Sequence, residues 1–218
     1  MTLRNKLTHF LRYCVVGADD ELPRNYRRVD YIQGDGDLYY DTGEKLYGSD
    51  TITLTLSGTS SAGQNIIGAY AGTTEGIYNF SLFVYGAGSS SNSYYRHGTG
   101  TNSDDLMRPR YGTGKRTITL TSTGTTGFVT DASSPDGTQE FTTTSDCWIF
   151  TLPNSSSAKF TGKINGNIEI SNRLKYIPCE RVSDGTIGYY EVYTKKFLEP
   201  LGNGTPTYGA YDDSHLRG

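Results

Sequence analysis

Tyr94, Tyr95, Arg96 and His97 stand in a row, and Asp104 and Arg108 follow within the same Gly- and Ser-rich segment, Gly86–Gly114. An aromatic ring can offer its face to the apolar side of a pyranose, while planar polar groups grip its hydroxyls. The set therefore points to an outward-facing surface that meets a polysaccharide. Two other uses fit the same residues: contact with a neighbouring subunit, and solvation of a loop. Connections this long are usually functional or disordered. Ser93–His97 is itself a candidate strand with loops on either side.

Other chemistries find less support. Glycoside hydrolysis needs two carboxylates placed on either side of the scissile bond. Glu169 is isolated in the sequence, and Glu180, Glu191 and Glu199 are scattered. His9, His97 and His215 have no nucleophile motif of the G-x-S-x-G kind beside them. The expectation is a protein that is not an enzyme. Asp35 and Asp37, in the run Gly34-Asp35-Gly36-Asp37, and the pair Asp104-Asp105 could give oxygens to calcium. Gly and Asp also make ordinary turns, so no metal and no other cofactor is expected.

The 3 cysteines, Cys14, Cys147 and Cys179, are odd in number and widely spaced, which fits neither a disulfide framework nor a zinc site. Cys147 and Cys179 lie in strand-like runs and are expected to serve as small core hydrophobes. Free thiols suit assembly in a reducing cytoplasm. Leu3–Val16 is broken by Lys6, His9 and Arg12, so it lacks the clean apolar run of a secretory leader. The glycosylation patterns at Asn79, Asn154 and Asn203 are discounted for that reason. No stretch approaches the ~20 apolar residues that span a membrane. Net charge is −3, which gives no case for nucleic acid. The balance is uneven, because residues 1–28 are net basic and the rest is acidic. A basic leader on an acidic body is suited to an acidic partner, or is simply a solvated helix face.

The elements that must position these residues follow from periodicity. Leu3, Leu7, Phe10, Leu11, Cys14 and Val15 recur at three- and four-residue steps, which predicts an amphipathic helix over 2–16, ended by Gly17. Residues 1–23 thus form a helix and linker. Its apolar stripe either packs on its own domain or, through Leu3, Leu7, Phe10, Leu11 and Val15, anchors the chain to another subunit.

From Tyr26 onward about thirteen strand candidates alternate with turn residues, the pattern of an antiparallel all-β sandwich. Tyr26–Gln33 and Leu38–Thr42, joined by the Gly/Asp run, read as an opening hairpin. Thr51–Leu56 turns Ile52, Leu54 and Leu56 inward, and Lys115–Thr121 does the same with Ile118 and Leu120. Cys147–Leu152 offers Trp148, Phe150 and Leu152 as the core centre. Asn165-Gly166 is a strong hairpin-turn signal within Lys163–Ile170. Tyrosine is plentiful, at 18 residues against 8 Phe and 1 Trp, which suits both strand packing and a binding surface.

Two stretches carry a family likeness. The opening holds Leu22, Pro23, Tyr26, Val29, Asp30, Tyr31, Ile32, Gly36, Tyr39, Tyr40, Asp41, Thr42 and Gly43. The closing holds Ile177, Pro178, Cys179, Arg181, Ser183, Asp184, Gly185, Ile187, Gly188, Tyr190 and Phe197. In this order and spacing they resemble the laminin-G/concanavalin A-like domain of tailed-phage and prophage virion proteins, particularly of gut bacteria. Concanavalin-like glycosidases often carry alternating acids on one strand, and this sequence lacks such a strand. The resemblance implies a jelly-roll sandwich over 24–218, displayed on the virion as a head fibre, capsid decoration or tail-fibre component. The helical leader would bind other virion proteins, the chain would assemble as a homo-oligomer such as a trimer, and the outward-facing surface would meet host or mucus polysaccharide. A secreted or cell-surface bacterial carbohydrate-binding module is the alternative.

Overall fold

A computed structural model describes residues 21–58, 64–72, 77–84, 93–99, 106–112, 114–133, 140–154 and 158–212. The expected helix, with its anchoring residues Leu3, Leu7, Phe10, Leu11 and Val15, lies outside these residues. Among the described residues there is no α-helix.

The strands, in chain order, begin with β1 (Tyr26–Val29), β2 (Tyr31–Gln33), β3 (Tyr40–Tyr47), β4 (Ile52–Ser57), β5 (Gln64–Ala69) and β6 (Tyr78–Val84). There follow β7 (Ser93–Thr99), β8 (Leu106–Met107), β9 (Arg116–Thr121), β10 (Gly124–Thr126), β11 (Thr142–Ile149) and β12 (Ala158–Lys159). The last are β13 (Lys163–Ile170), β14 (Leu174–Arg181), β15 (Thr186–Glu191), β16 (Lys196–Leu198), β17 (Thr207–Tyr208) and β18 (Tyr211–Asp212).

They form two sheets, one 11-stranded, with a path β10-β9-β4-β13-β14-β1-β18, and one 7-stranded, with a path β3-β11-β5-β6-β7-β8. Every pairing is antiparallel except β12 on β5. The inner faces share one core, so the architecture is a β-sandwich.

Strict alternation explains the best-formed strands. Ile52, Leu54 and Leu56 of β4 and Ile118 and Leu120 of β9 are buried. Their neighbours Thr53 and Thr55 turn outward and meet Thr119 and Thr117 across the strand, hydroxyl to hydroxyl at 3.3 and 2.8 Å. Cys147 and Cys179 are buried free thiols, and burial pushes the Cys179 thiol up to about 12. Cys147 belongs to the main core. Cys179 joins Leu22, Ile177 and Tyr190 in a smaller cluster, against which Tyr26, Val192 and Phe197 pack.

Three expectations need correction. The opening stretch is not a hairpin: β1 pairs with β14 and β2 with β13 in the larger sheet, whereas β3 pairs with β11 in the smaller one. The Gly/Asp turn instead carries the chain between the sheets, latched by Asp35. Oδ1 of Asp35 accepts the Asp37 and Leu38 amides at 2.9 and 3.1 Å, and Oδ2 accepts the amide of Thr205 at 2.7 Å. Secondly, Asn165-Gly166 sits in a bulge inside β13. The register runs from Asn165↔Thr55 to Glu169↔Thr53, so β13 spends four steps where β4 spends two. Gly166 has φ +64°, and its amide donates to the carbonyl of Asp30 at 2.9 Å.

Thirdly, Trp148 is not in the core. In β11 the inward residues are Cys147 and Ile149, while Trp148 is half-buried and stacks on Tyr39 at 4.9 Å. Phe150 reaches the core because its φ of +68° breaks the alternation. The tail also contributes more than expected: β17 pairs with β2, and β18 pairs with β1.

Candidate functional site

The strand expected at Ser93–His97 exists as β7. It lies between β6, in the register Phe80↔His97, Leu82↔Tyr95 and Phe83↔Tyr94, and β8. Successive side chains of a strand face opposite ways, and this divides the proposed saccharide set. Tyr95 is fully buried and donates its hydroxyl to the carbonyl of Thr121 at 2.8 Å. His97 is 6% exposed; its Nε2 donates to the carbonyl of Gly48 at 2.7 Å, with the rings of Phe80 and Phe141 edge-on. Tyr95 and His97 therefore belong to the core and not to an outward surface.

Tyr94 and Arg96 take the opposite face and are half-buried. The ring of Phe83 lies 6.2 Å from that of Tyr94, and the exposed Arg108 places its guanidinium 5.6 Å from the Tyr94 centroid. Asp104 lies outside the described residues. What the structure gathers at β7 is thus an aromatic pair with two arginines.

A different constellation gathers on the larger sheet. Asp30 and Tyr31 at the β1–β2 junction, Thr55 of β4, Lys115 just before β9, and Asn165-Gly166 in the β13 bulge line an open groove of about 530 Å³. The bulge builds one wall. Asn165 Nδ2 donates to Ser57 Oγ at 2.9 Å, with longer contacts to the carbonyls of Thr55 and Lys163, and this fixes the carboxamide plane. Lys163 holds its Nζ 4.0 Å from the centroid of the Tyr31 ring. Thr55 shares a hydroxyl contact with Thr117. Sequence reading missed this groove. Its residues come from four separate stretches, and the Asn-Gly pair that shapes it carries the signal of a hairpin. Another hollow, of about 440 Å³, lies among Tyr47, Ser49, Glu140, Phe141 and Thr142.

Six further acidic residues are committed to structure. Glu191 Oε1 accepts the amides of Lys175 and Tyr193, and Oε2 accepts the amide and hydroxyl of Thr194. Burial pushes its carboxyl upward, but those donors outweigh it and hold the group below its ordinary value. Asp35 follows the same pattern: partial burial raises it, and the amides of Asp37, Thr205 and Leu38 bring it below the usual range. Asp184 is held low by Arg181, which grips it through Nε and Nη2, while Nη1 reaches Glu199 at 2.7 Å. Glu180 meets Arg27 at 3.8 Å and accepts from the Tyr211 hydroxyl, and Glu169 lies 3.8 Å from Lys175. Asp50 is buried against Arg173 and also accepts from Ser171 and the amide of Tyr47. Among the described residues no three His, Cys, Asp or Glu side chains converge as a metal-holding group.

No family model matches the chain, and no curated protein matches it.

Proposed function

We propose that this chain is a non-enzymatic structural protein of a tailed-phage virion. In this reading a laminin-G/concanavalin-like jelly-roll is displayed on the particle, as a head fibre, capsid decoration or tail-fibre component, and contributes adhesion to glycans. Residues 1–23 anchor it to other virion proteins, and the displayed module assembles as a homo-oligomer, a trimer being the simplest form. The host cytoplasm is the place of assembly.

One observation carries the reading. The two stretches that resemble the family, far apart in sequence, make a single structural unit. Tyr26, Arg27 and Arg28 pair with Arg181, Glu180 and Cys179. The ring of Tyr26 lies 5.0 Å from Tyr190 and 5.3 Å from Phe197. The hydroxyl of Tyr40 donates to the carbonyl of Ile187 at 3.3 Å. In the Ser183-Asp184-Gly185 turn, Asp184 caps the amide of Thr186 while Arg181 grips its carboxylate. Residues that resemble those of a family and also fold against one another support a shared fold. They support the virion role through the resemblance alone, since a fold hosts many functions.

Mass spectrometry of purified particles from a host carrying this gene tests the placement. Peptides of this chain should co-purify with the capsid or tail. Their absence from particles that contain every other structural protein overturns the reading. Removing residues 1–18 should leave the sandwich folded and abolish incorporation.

A further inference from the structure

We propose that Asn203-Gly204 is a self-modifying site, at which Asn203 turns into isoaspartate and thereby loosens the hold of the larger sheet on its last strands, β17 and β18. The site does not depend on where the chain is displayed.

The sequence holds two Asn-Gly pairs, and the fold treats them oppositely. At Asn165-Gly166 both reacting groups are taken. Asn165 Nδ2 is held by Ser57 Oγ at 2.9 Å, and the Gly166 amide is fixed on the carbonyl of Asp30 at 2.9 Å. At Asn203-Gly204 neither group is taken. Asn203 is exposed, and among the described residues its carboxamide and the Gly204 amide have no hydrogen-bond partner. The pair lies between two fixed points. Leu201 and Tyr39 exchange amide-to-carbonyl bonds at 2.8 and 3.1 Å, and Thr205 gives its amide to Asp35 Oδ2 at 2.7 Å. Glycine is required at 204, because a Cβ there would lie 2.2 Å from Asp35 Oδ1 and 2.5 Å from the Leu38 nitrogen. That same missing Cβ leaves the Gly204 nitrogen uncrowded.

The chemistry consumes water alone. The Gly204 nitrogen gives its proton to solvent and attacks Cγ of Asn203. The bond from Cγ to Nδ2 breaks, ammonia leaves, and a succinimide ring closes. Water then opens the ring. Cleavage between the nitrogen and the main-chain carbonyl carbon leaves isoaspartate, with the chain running through Cγ. Cleavage between the nitrogen and Cγ leaves aspartate. One water enters, one ammonia departs, and nothing is oxidised or reduced.

Isoaspartate adds one carbon to the main chain, about 1.5 Å of length, in a span pinned at both ends. It also sets a new carboxylate one residue from the contact between Gly204 and Asp35. Both changes weaken the charge-assisted bond from Thr205 to Asp35. The strands beyond it rely on that bond. β17 and β18 run along β2 and β1 in one register, from Gln33↔Thr207 to Arg28↔Asp212. The Gly209 amide donates to the carbonyl of Tyr31 at 3.2 Å, and the Asp30 amide donates to the carbonyl of Ala210 at 3.0 Å. Tyr211 adds contacts with Arg27 and Glu180. No residue from 207 to 212 is buried, so the core does not hold this segment. Once loosened, it leaves β1 and β2 with an unpaired backbone edge.

The test ages the full-length chain at mildly alkaline pH and samples it over weeks. Methylation by an isoaspartyl methyltransferase, with peptide mass spectrometry, locates each conversion. Isoaspartate should appear at Asn203 about tenfold faster than at Asn165 or more, because attack at Asn165 must first break two hydrogen bonds. Hydrogen exchange of the Gly209 and Asp30 amides should quicken about tenfold in the aged protein, the effect of losing one charge-assisted bond. The Asn203→Gln variant, whose longer side chain closes a ring far more slowly, should age without either change. The proposal is overturned if Asn203 converts no faster than Asn165, or if Asn203 converts and the two amides exchange as before. It is equally overturned if the aged Asn203→Gln protein exchanges as fast as the aged parent.

Discussion

Two regions of this molecule are rich in tyrosine and arginine, and they spend them differently. In the clasp, where β1 meets β14–β16, Tyr26 stacks with Tyr190 and Phe197, and Arg181 lies 5.0 Å from the Phe197 ring while holding Asp184 and Glu199. These side chains satisfy one another. On β7 the run Tyr94-Tyr95-Arg96-His97 looks like a binding patch, yet strand parity puts half of it in the core. Residue type sets what a side chain could do. The face it occupies, and whether a neighbour has already taken it, set what remains for a ligand.

The comparison breaks most readily at Gly188. A Cβ there would lie 2.2 Å from the carbonyl oxygen of Leu198 and 2.7 Å from the Phe197 ring. Gly188→Val should cost about 3 kcal/mol or more and leave little folded protein, as circular dichroism would report. A well-folded Gly188→Val protein would mean that the clasp is not closely packed.

Adjacent tyrosines on β7 supply the sharpest internal contrast. Tyr95→Ala empties a core site and should cost about 3–5 kcal/mol in urea unfolding, the range for a buried aromatic. At the other end of the scale, Tyr94→Ala loses only the contacts of its ring with Phe83 and Arg108 and should cost about 1 kcal/mol. Equal effects would show that the two faces of β7 are not distinguished in solution.

Between these lies the acid limb. Glu191, Asp35 and Asp184 all have carboxyls held below their ordinary values in the folded state. Such groups bind protons more readily when unfolded. Their contribution is therefore complete above the ordinary carboxylate values of 3.8–4.5 and is lost as pH falls through the lower folded values. The urea midpoint should be level from neutral pH down to about pH 5, then fall on further acidification. Glu191→Gln loses charge-assisted bonds worth about 1–2 kcal/mol at neutral pH and should flatten that fall. A variant with the parent's acid slope would remove Glu191 from the account.

The sequence exposed some of this architecture and hid the rest for definable reasons. β4 and β9 were legible because a two-residue period admits one inward set, and Ile52, Leu54, Leu56, Ile118 and Leu120 occupy it. The buried thiols were legible by elimination. Trp148 was misjudged because a single positive-φ residue, Phe150, switches which side of the chain faces inward. Asn165-Gly166 was misjudged because the same φ > 0 preference that closes a hairpin also opens a bulge, and the choice rests on what β4 and β2 offer alongside. The groove was beyond sequence reading altogether, since pairing between distant strands creates it.

The way the clasp closes has a consequence for synthesis. The Tyr40–Ile187 bond spans 147 residues, and the Asp35–Thr205 latch spans 170. At about 5–20 residues per second, the opening strands leave the ribosome roughly 7–30 s before β15 exists to receive them. Throughout that interval Val29, Ile32, Leu38 and Tyr40 have no core to enter, and β1 has an unsealed edge. A chain further along the same message already carries its own β14 during that interval. Strand exchange between copies therefore has that interval in which to compete with self-closure, and the speed of translation sets its length.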